Sequence, residues 1–254
     1  MRIFIFGSGN VATIFARKLY EEGHIISGVY SKNMENASAL AARVNSHGFN
    51  KIEDISINAD MVIISVSDHA IEGLVNELGK IPLPVFHTAG SVSIETIKNL
   101  SSLYGVIYPL QSLRKNMERI PEIPLFVDGN NDESLELAKN IAGAIGEKVY
   151  EADDEKRKKL HLAAVFSSNF TNYLYTISKK YTEASGLPFE SLIPLIEETA
   201  HRIKNYDPET MQTGPAIRGD MNIIEKHLQL LDSYPDWKEI YQDLSARIYR
   251  EFNS

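Results

Sequence analysis

The sequence predicts an α/β chain in which a doubly wound, mostly parallel sheet with helices on both faces is followed by an all-helical part. Three observations predict it. Short β-branched or aromatic runs alternate with amphipathic segments up to about residue 151. A glycine-rich turn joins the first run directly to the first amphipathic segment. Beyond the charged stretch Asp153 to Lys159 the strand-like runs cease and long helical patterns take over.

The elements follow in order. Arg2 to Phe6 reads as a strand, and Val11 to Glu22 as a helix with Val11, Ile14, Phe15 and Leu19 on one face and Gly23 suited to end it. A strand from Ile25 to Tyr30 and a helix around Ala37 to Val44 come next, then a strand from Met61 to Val66 and a helix after Asp68, which is expected to cap it. A strand Val85 to His87, a helix near Ile94 to Leu100 and a strand near Gly105 to Tyr108 continue the series. Leu125 to Asp128 and Lys148 to Tyr150 bracket a helix from about Glu133 to Ala144 and extend the sheet. Strands separated by helices imply a parallel sheet covered on both faces. The helical half reads as His161 to Ala184, Phe189 to Lys204, Asp220 to Leu231 and Asp236 to Phe252, broken at Gly186-Leu-Pro188, Asp207-Pro208, Gly214-Pro215 and Tyr234-Pro235. Two domains are expected, 1–151 and 152–254.

Composition narrows the function. The 254 residues carry a formal charge of -8, with 43% hydrophobic and 24% charged side chains, which fits a globular chain and gives no broad attraction for nucleic acid or an anionic bilayer. The absence of cysteine excludes disulfides, thiolate metal sites and a cysteine nucleophile, and suits a reducing compartment. Ile3 to Phe6 is too short an apolar run for a signal peptide or a membrane span, so a cytoplasmic location is expected and the sequons at Asn36, Asn99 and Asn169 carry no weight.

Gly7-Ser8-Gly9-Asn10-Val11-Ala12 spells G-x-G-x-x-A between the first strand and the first helix, the dinucleotide-binding signature of a Rossmann domain. Gly7 permits the tight turn, Gly9 lets the backbone approach a pyrophosphate, and Ala12 allows close packing of helix on strand, while the helix N-terminus supplies N–H donors. The second strand ends in Tyr30-Ser31-Lys32-Asn33. It lacks the acidic residue that binds a ribose 2′-hydroxyl in NAD sites, whereas Ser31 and Lys32 suit a 2′-phosphate, so NADP(H) is the expected cofactor.

Ligands of open α/β sheets collect at the carboxyl ends of the strands. Val66-Ser67 after the fourth strand and Thr88-Ala89-Gly90 after the fifth complete the expected cofactor contacts. His87 has two readings, a proton relay beside the nicotinamide or a packed, hydrogen-bonded histidine. Tyr108 and Gln111 after the sixth strand offer hydroxyl and amide groups to a substrate. In the helical half His161, Val165 and Asn169 share a face by their spacing, with His161 at the substrate and Asn169 donating a hydrogen bond that polarises the reacting bond. Thr213-Gly214-Pro-Ala-Ile-Arg218-Gly219-Asp220 reads as a shaped substrate loop in which Arg218 clamps an anion and Thr213, Gly214 and Asp220 line the ligand. Glu197 and His201 lack a third ligand, so no metal is expected, and the run Asp153 to Lys159 reads as an exposed hinge or helix start.

These pieces together resemble a family of Rossmann-like NADP oxidoreductases with a C-terminal helical domain of unknown function. The resemblance spans nearly the whole chain and rests on Gly7 to Ala12, Tyr30-Ser-Lys32, Val66-Ser-Asp68, His87-Thr-Ala-Gly90, Pro109-Leu-Gln-Ser112, His161 to Asn169, Thr213 to Asp220 and His227-Leu228. Tyr108 departs from it, because the family has histidine there. The architecture is more distantly similar to pyrroline-carboxylate reductases, prephenate dehydrogenases, ketopantoate reductases and deazaflavin-dependent NADP reductases. That similarity implies a helical domain of the 6-phosphogluconate-dehydrogenase-like type, reductase chemistry and a homodimer through the C-terminal helices. The expected function is an NADP(H)-dependent oxidoreductase acting on a small carbonyl, hydroxy-acid or imine substrate, with His87, Asn169 and Arg218 in the catalytic roles. The rival is a non-catalytic NADP-binding regulatory or scaffold protein, to which the lack of a Lys–Asn pair at i,i+4 on the first C-terminal helix lends weight.

Overall fold

The computed structural model describes residues 1–55 and 57–253. Eight strands form one sheet in the order β3-β2-β1-β4-β5-β6-β7-β8. They are β1 (Arg2–Phe6), β2 (Ile25–Tyr30), β3 (Gly48–Phe49), β4 (Met61–Ile64), β5 (Val85–His87), β6 (Tyr104–Pro109), β7 (Leu125–Gly129) and β8 (Val149–Glu151). Every neighbouring pair is parallel except β6 with β7. The order reverses between β1 and β4, so the carboxyl ends of those two strands flank the crevice where such sheets take ligands. The fold class is therefore the one the alternation predicts. The antiparallel entry of β7 follows from the connection before it, a loop with no crossover helix among the described residues.

The sheet is buried on both faces because its strands are apolar at consecutive positions. Ile3 and Ile5 join one core with Ile14, Phe15 and Leu19 of α1 (Asn10–Glu21), Leu40 of α2 (Met34–Arg43) and Ile141 of α4 (Asp132–Ile145). Phe4 and Phe6 join the opposite core with Ile71 and Leu74 of α3 (Asp68–Leu78). Each such side chain contributes about 1.5–3 kcal/mol by leaving water.

Two local expectations are corrected. The helix expected over Ile94 to Leu100 is a single 3-10 turn, Ile94–Ile97. Asn99, Ser101 and Ser102 turn the chain instead, with Ser101 Oγ donating to the Leu83 carbonyl at 2.7 Å. Asp68 is the first residue of α3 with Ser67 at the cap position, and its carboxylate accepts from Ser91 Oγ. Of the two readings of the charged run, hinge or helix start, the helix start is the one observed. Asp153 caps α5 (Asp154–Ala164) by accepting from the Lys156 N–H at 2.8 Å, and Arg157, inside that run, is fully buried.

By packing, the chain divides into Met1–Asn169 and Phe170–Ser254. The change from alternating elements to helices alone falls earlier, at 151/152, and the interval between the two is α5 with the start of a π-helical turn at Val165–Phe170. The second unit contains α6 (Thr171–Ala184), α7 (Ile193–Arg202), α8 (Met221–Leu230) and α9 (Pro235–Asn253). Among its described residues only Ala216 and Ile224 are buried hydrophobics. His227 Nδ1 and Tyr241 Oη lie 2.7 Å apart beside a cavity of about 420 Å³ lined by Leu174, Leu230, Trp237 and Leu244.

Candidate active site

The dinucleotide signature folds as its residue types require. Gly7 has φ +125°, and a Cβ there would lie 2.2 Å from the Ser65 carbonyl oxygen, so this turn admits only glycine. Gly9 differs, because its backbone is extended and a Cβ would meet nothing within 4 Å. The protein itself gives no reason for glycine at that position, whereas a ligand lying on the loop does. No side chain caps the N-terminus of α1 and no acidic residue sits in its first turn, which leaves its donors and positive potential to an anion. Ser8 Oγ donates to Ser31 Oγ at 2.8 Å, linking the glycine loop to the end of β2, where Lys32 is exposed and has no ion-pair partner among the described residues. Asn10 Oδ1 accepts from the Lys115 N–H at 3.0 Å, and Arg17 and Arg43 donate to the Met117 and Lys115 carbonyls, so the connection from β6 to β7 is tied over α1. These features fit a dinucleotide pyrophosphate.

The turn after β5 is packed into the first unit. His87 is fully buried, its Nδ1 accepts from the Ala89 N–H at 3.2 Å, and burial together with the nearby Arg157 charge lowers its pKa to about 4. A buried imidazole held neutral keeps only a weakly acidic N–H, on an Nε2 with no partner among the described residues, an environment that fits the packed reading better than a proton donor. Thr88 and Ala89 are buried with it, and Thr88 Oγ1 donates to Ser65 Oγ at 3.0 Å. They build the turn, while Val66 and Ser67 border the crevice after β4, with Ser67 exposed.

The pKa of His87 carries a stability consequence. The unfolded chain takes up a proton near pH 6.5, whereas the folded chain does so only near pH 4. Stability is therefore unaffected above pH 6.5 and falls as pH drops through that window, by a full amount on the order of 3 kcal/mol. Urea melts of the wild type and His87→Leu between pH 7 and 4 check this, the variant being expected to lose that part of the slope.

Tyr108 and His161 form the chemical centre of the first unit. Tyr108 ends β6, His161 comes from α5, and Tyr108 Oη lies 3.0 Å from His161 Nδ1. Gly90 makes this possible, since a Cβ there would sit 2.6 Å from the Tyr108 ring and 3.0 Å from His161 Nδ1. Burial and the Asp68 charge push the Tyr108 pKa up to about 12, so its hydroxyl keeps its proton. Both side chains line a cavity of about 570 Å³ shared with Asn10 and Val11 of the glycine loop, Gln111, Val165 and Asn169. The sequence spacing that put His161, Val165 and Asn169 on one face thus corresponds to one cavity wall. Ser112, Ser167 and Ser168 also line it without having been singled out as site residues. The Gln111 amide is occupied by its own loop, donating to the Glu122 carbonyl and accepting from the Ser112 N–H.

The remaining expected residues belong to the second unit. Gly214 and Gly219 have φ of +110° and +65°, Asp220 caps α8 by accepting from the Ile223 N–H at 3.3 Å, and Thr213 and Arg218 are exposed. Arg218 forms no ion pair with Asp220, whose carboxylate serves the helix. No three His, Asp or Glu side chains converge as a metal site among the described residues, and none of the helices formed by them is long and apolar enough to cross a membrane.

Comparison with known proteins agrees with this geometry. The family described as NADP oxidoreductase coenzyme F420-dependent matches residues 2–84, and a domain of unknown function (DUF2520) matches residues 123–248. A structure from Bacteroides fragilis described as an NADP oxidoreductase is 37% identical, covers 98% of both chains and superposes with a TM-score of 0.89. A Thermotoga maritima protein is 26% identical over 98% of this chain and 97% of that one, with a TM-score of 0.71. An imine reductase from Myxococcus stipitatus in complex with NADP+ shares the fold at 14% identity and a TM-score of 0.65, over 98% of this chain and 92% of that one. No curated protein matches the chain. The cofactor is NADP(H), and the chain belongs to the NADP oxidoreductase family with a Rossmann-type N-terminal part and a helical C-terminal part of unknown function.

Proposed function

We propose that the chain is an NADPH-dependent reductase of a small carbonyl or imine compound, or the corresponding dehydrogenase of a hydroxy acid, with Tyr108 and His161 in the proton-donating role first considered for His87. The observation that carries the reading is the Tyr108–His161 pair in one cavity with Asn10 and Val11 of the dinucleotide loop. When bound, NADPH supplies the hydride. A reduced carbonyl or imine also needs a proton, and a side-chain acid contributes about 10²–10⁴-fold to such a step. With its proton on Nδ1, His161 donates to Tyr108 Oη and leaves the phenol O–H free to point at the substrate. The same hydrogen bond stabilises negative charge on Oη as the proton departs, which offsets the weak acidity that burial imposes on Tyr108. The phenolate then takes the Nδ1 proton of His161 as Nε2 takes one from solvent, which the part-buried ring can reach. Asn169 supplies a hydrogen bond to the reacting group from the same cavity.

Turnover of NADPH against a panel of cyclic imines, keto acids and aldehydes tests the reading. Consumption with at least one class supports it, and binding of NADPH without consumption by any class favours a regulatory protein instead. Ser31 and Lys32 are assigned to the 2′-phosphate. Lys32→Glu is expected to weaken NADPH about tenfold or more and NADH within about twofold, because only the former carries the extra phosphate. Fluorescence titration of both nucleotides reads that difference, and equal effects would remove Lys32 from the site.

The helices of the second unit are assigned to a homodimer. Leu187, Leu195, Ile203, Met221 and Leu230 are exposed there and offer apolar side chains to a second copy. Light scattering after gel filtration is expected to give twice the chain mass of 28.5 kDa, and a monomer mass at micromolar concentration contradicts it.

A further inference from the structure

We infer that Arg157 is a positioning residue for the Tyr108–His161 pair, locking α5 to the turn after β5 so that His161 meets the phenol. This assignment rests on the proposed proton-donating role of the pair for its functional meaning, although the geometry it concerns is independent of turnover. Arg157 is the largest fully buried side chain of the molecule, in a stretch whose composition reads as surface. Its Nη2 donates to the Val92 carbonyl at 2.6 Å and to Asp154 Oδ1 at 2.5 Å. The same Asp154 oxygen accepts from the Ile94 N–H at 3.2 Å. The first turn of α5 therefore grips both sides of the 92–94 segment with one arginine and one carboxylate.

His161 follows Arg157 at i,i+4, so the two side chains leave α5 on the same face. The gripped segment also carries Gly90 two residues before Val92, and Gly90 lies against both the Tyr108 ring and His161 Nδ1. Arg157 thus fixes the rotation of α5 and the height of the turn together, and the 3.0 Å separation of Tyr108 Oη and His161 Nδ1 depends on both. An apolar side chain of equal volume would fill the space but leave the Val92 carbonyl without its donor and the Asp154 carboxylate without its cation, at a cost of a few kcal/mol that the segment relieves by moving. Arg157 Nε and Nη1 find no protein acceptor among the described residues, so the grip acts through Nη2 alone. A lysine ammonium can reproduce that single-point contact.

The experiment is a nitrogen-15 NMR spectrum of histidine-labelled full-length protein. His161 Nδ1 is assigned by comparison with His161→Gln, and its shift is read in the wild type, Tyr108→Phe, Arg157→Met, Arg157→Lys and Asp154→Ala. The expected result is that Arg157→Met moves Nδ1 to the position seen in Tyr108→Phe, while Arg157→Lys retains the wild-type position and Asp154→Ala lies between. Circular dichroism identifies any variant that fails to fold. Should Arg157→Met do so, Asp154→Ala decides, because it removes the carboxylate half of the grip while Arg157 keeps its bond to the Val92 carbonyl. A wild-type Nδ1 position in folded Arg157→Met, or in Asp154→Ala when Arg157→Met does not fold, overturns the inference. Failure of the catalytic reading is separate, since it is read from turnover of Tyr108→Phe and leaves these shifts unaffected.

Discussion

Tyr108→Phe is expected to lower kcat by about 10²–10³-fold, within the range that one positioned acid supplies, while NADPH binds with an affinity within about twofold of wild type. The substitution removes one oxygen. The ring that packs under Gly90 remains, so the turn after β5 and the cavity wall keep their shape. His161 then loses the partner that lies 3.0 Å from its Nδ1. Steady-state kinetics with a substrate found in the panel, alongside nucleotide titration, separate the two quantities. A kcat within about threefold of wild type would falsify the assignment of Tyr108 as the acid, because no other hydroxyl in the cavity pairs with a histidine. His161→Gln is expected to follow in the same direction with a smaller loss, since the phenol retains its own proton.

The two glycines of the dinucleotide loop separate folding from binding. Gly7→Ala places a methyl 2.2 Å from the Ser65 carbonyl oxygen on a backbone with φ +125°, so the β1 and β4 ends must part. A loss of about 3 kcal/mol or more follows, equivalent to a fall in Tm of roughly 10 °C. In Gly9→Val the new Cβ meets no protein atom within 4 Å, and the protein should melt within a few degrees of wild type. The new side chain fills the space where a pyrophosphate approaches the backbone, and a weakening of NADPH by about 100-fold or more is expected. Thermal melts with and without nucleotide check both. A Gly9→Val protein that binds NADPH normally would mean the cofactor does not lie on this loop.

Much of the fold was legible because the deciding signals were local. The apolar runs of β1, β4 and β5 and the glycine loop are each contained within a few residues, and the order of elements constrains how parallel strands can be wound. The sense of β7 was not legible, as it depends on where the connection after Pro109 leads in space. The site was read in part. Tyr108 and His161 were both singled out, with the Tyr108 hydroxyl read as a substrate contact, yet their pairing across more than fifty residues of chain has no signature in spacing. His87 illustrates the opposite error. A histidine at the end of a strand has the right position for catalysis, and only burial shows that it is held neutral inside the turn. Arg157 was hidden for the same reason, since a run of seven residues, all of them charged, reads as surface until one of them is found gripping a loop.

The account stands or falls on a dinucleotide site that prefers NADPH beside the Tyr108–His161 pair, and titration of the purified protein with NADPH and NADH, followed by nucleotide fluorescence, tests it most directly. Saturable binding of NADPH, at least about tenfold tighter than NADH, is the predicted result. Absence of binding to either nucleotide, in protein that circular dichroism shows to be folded, would contradict it.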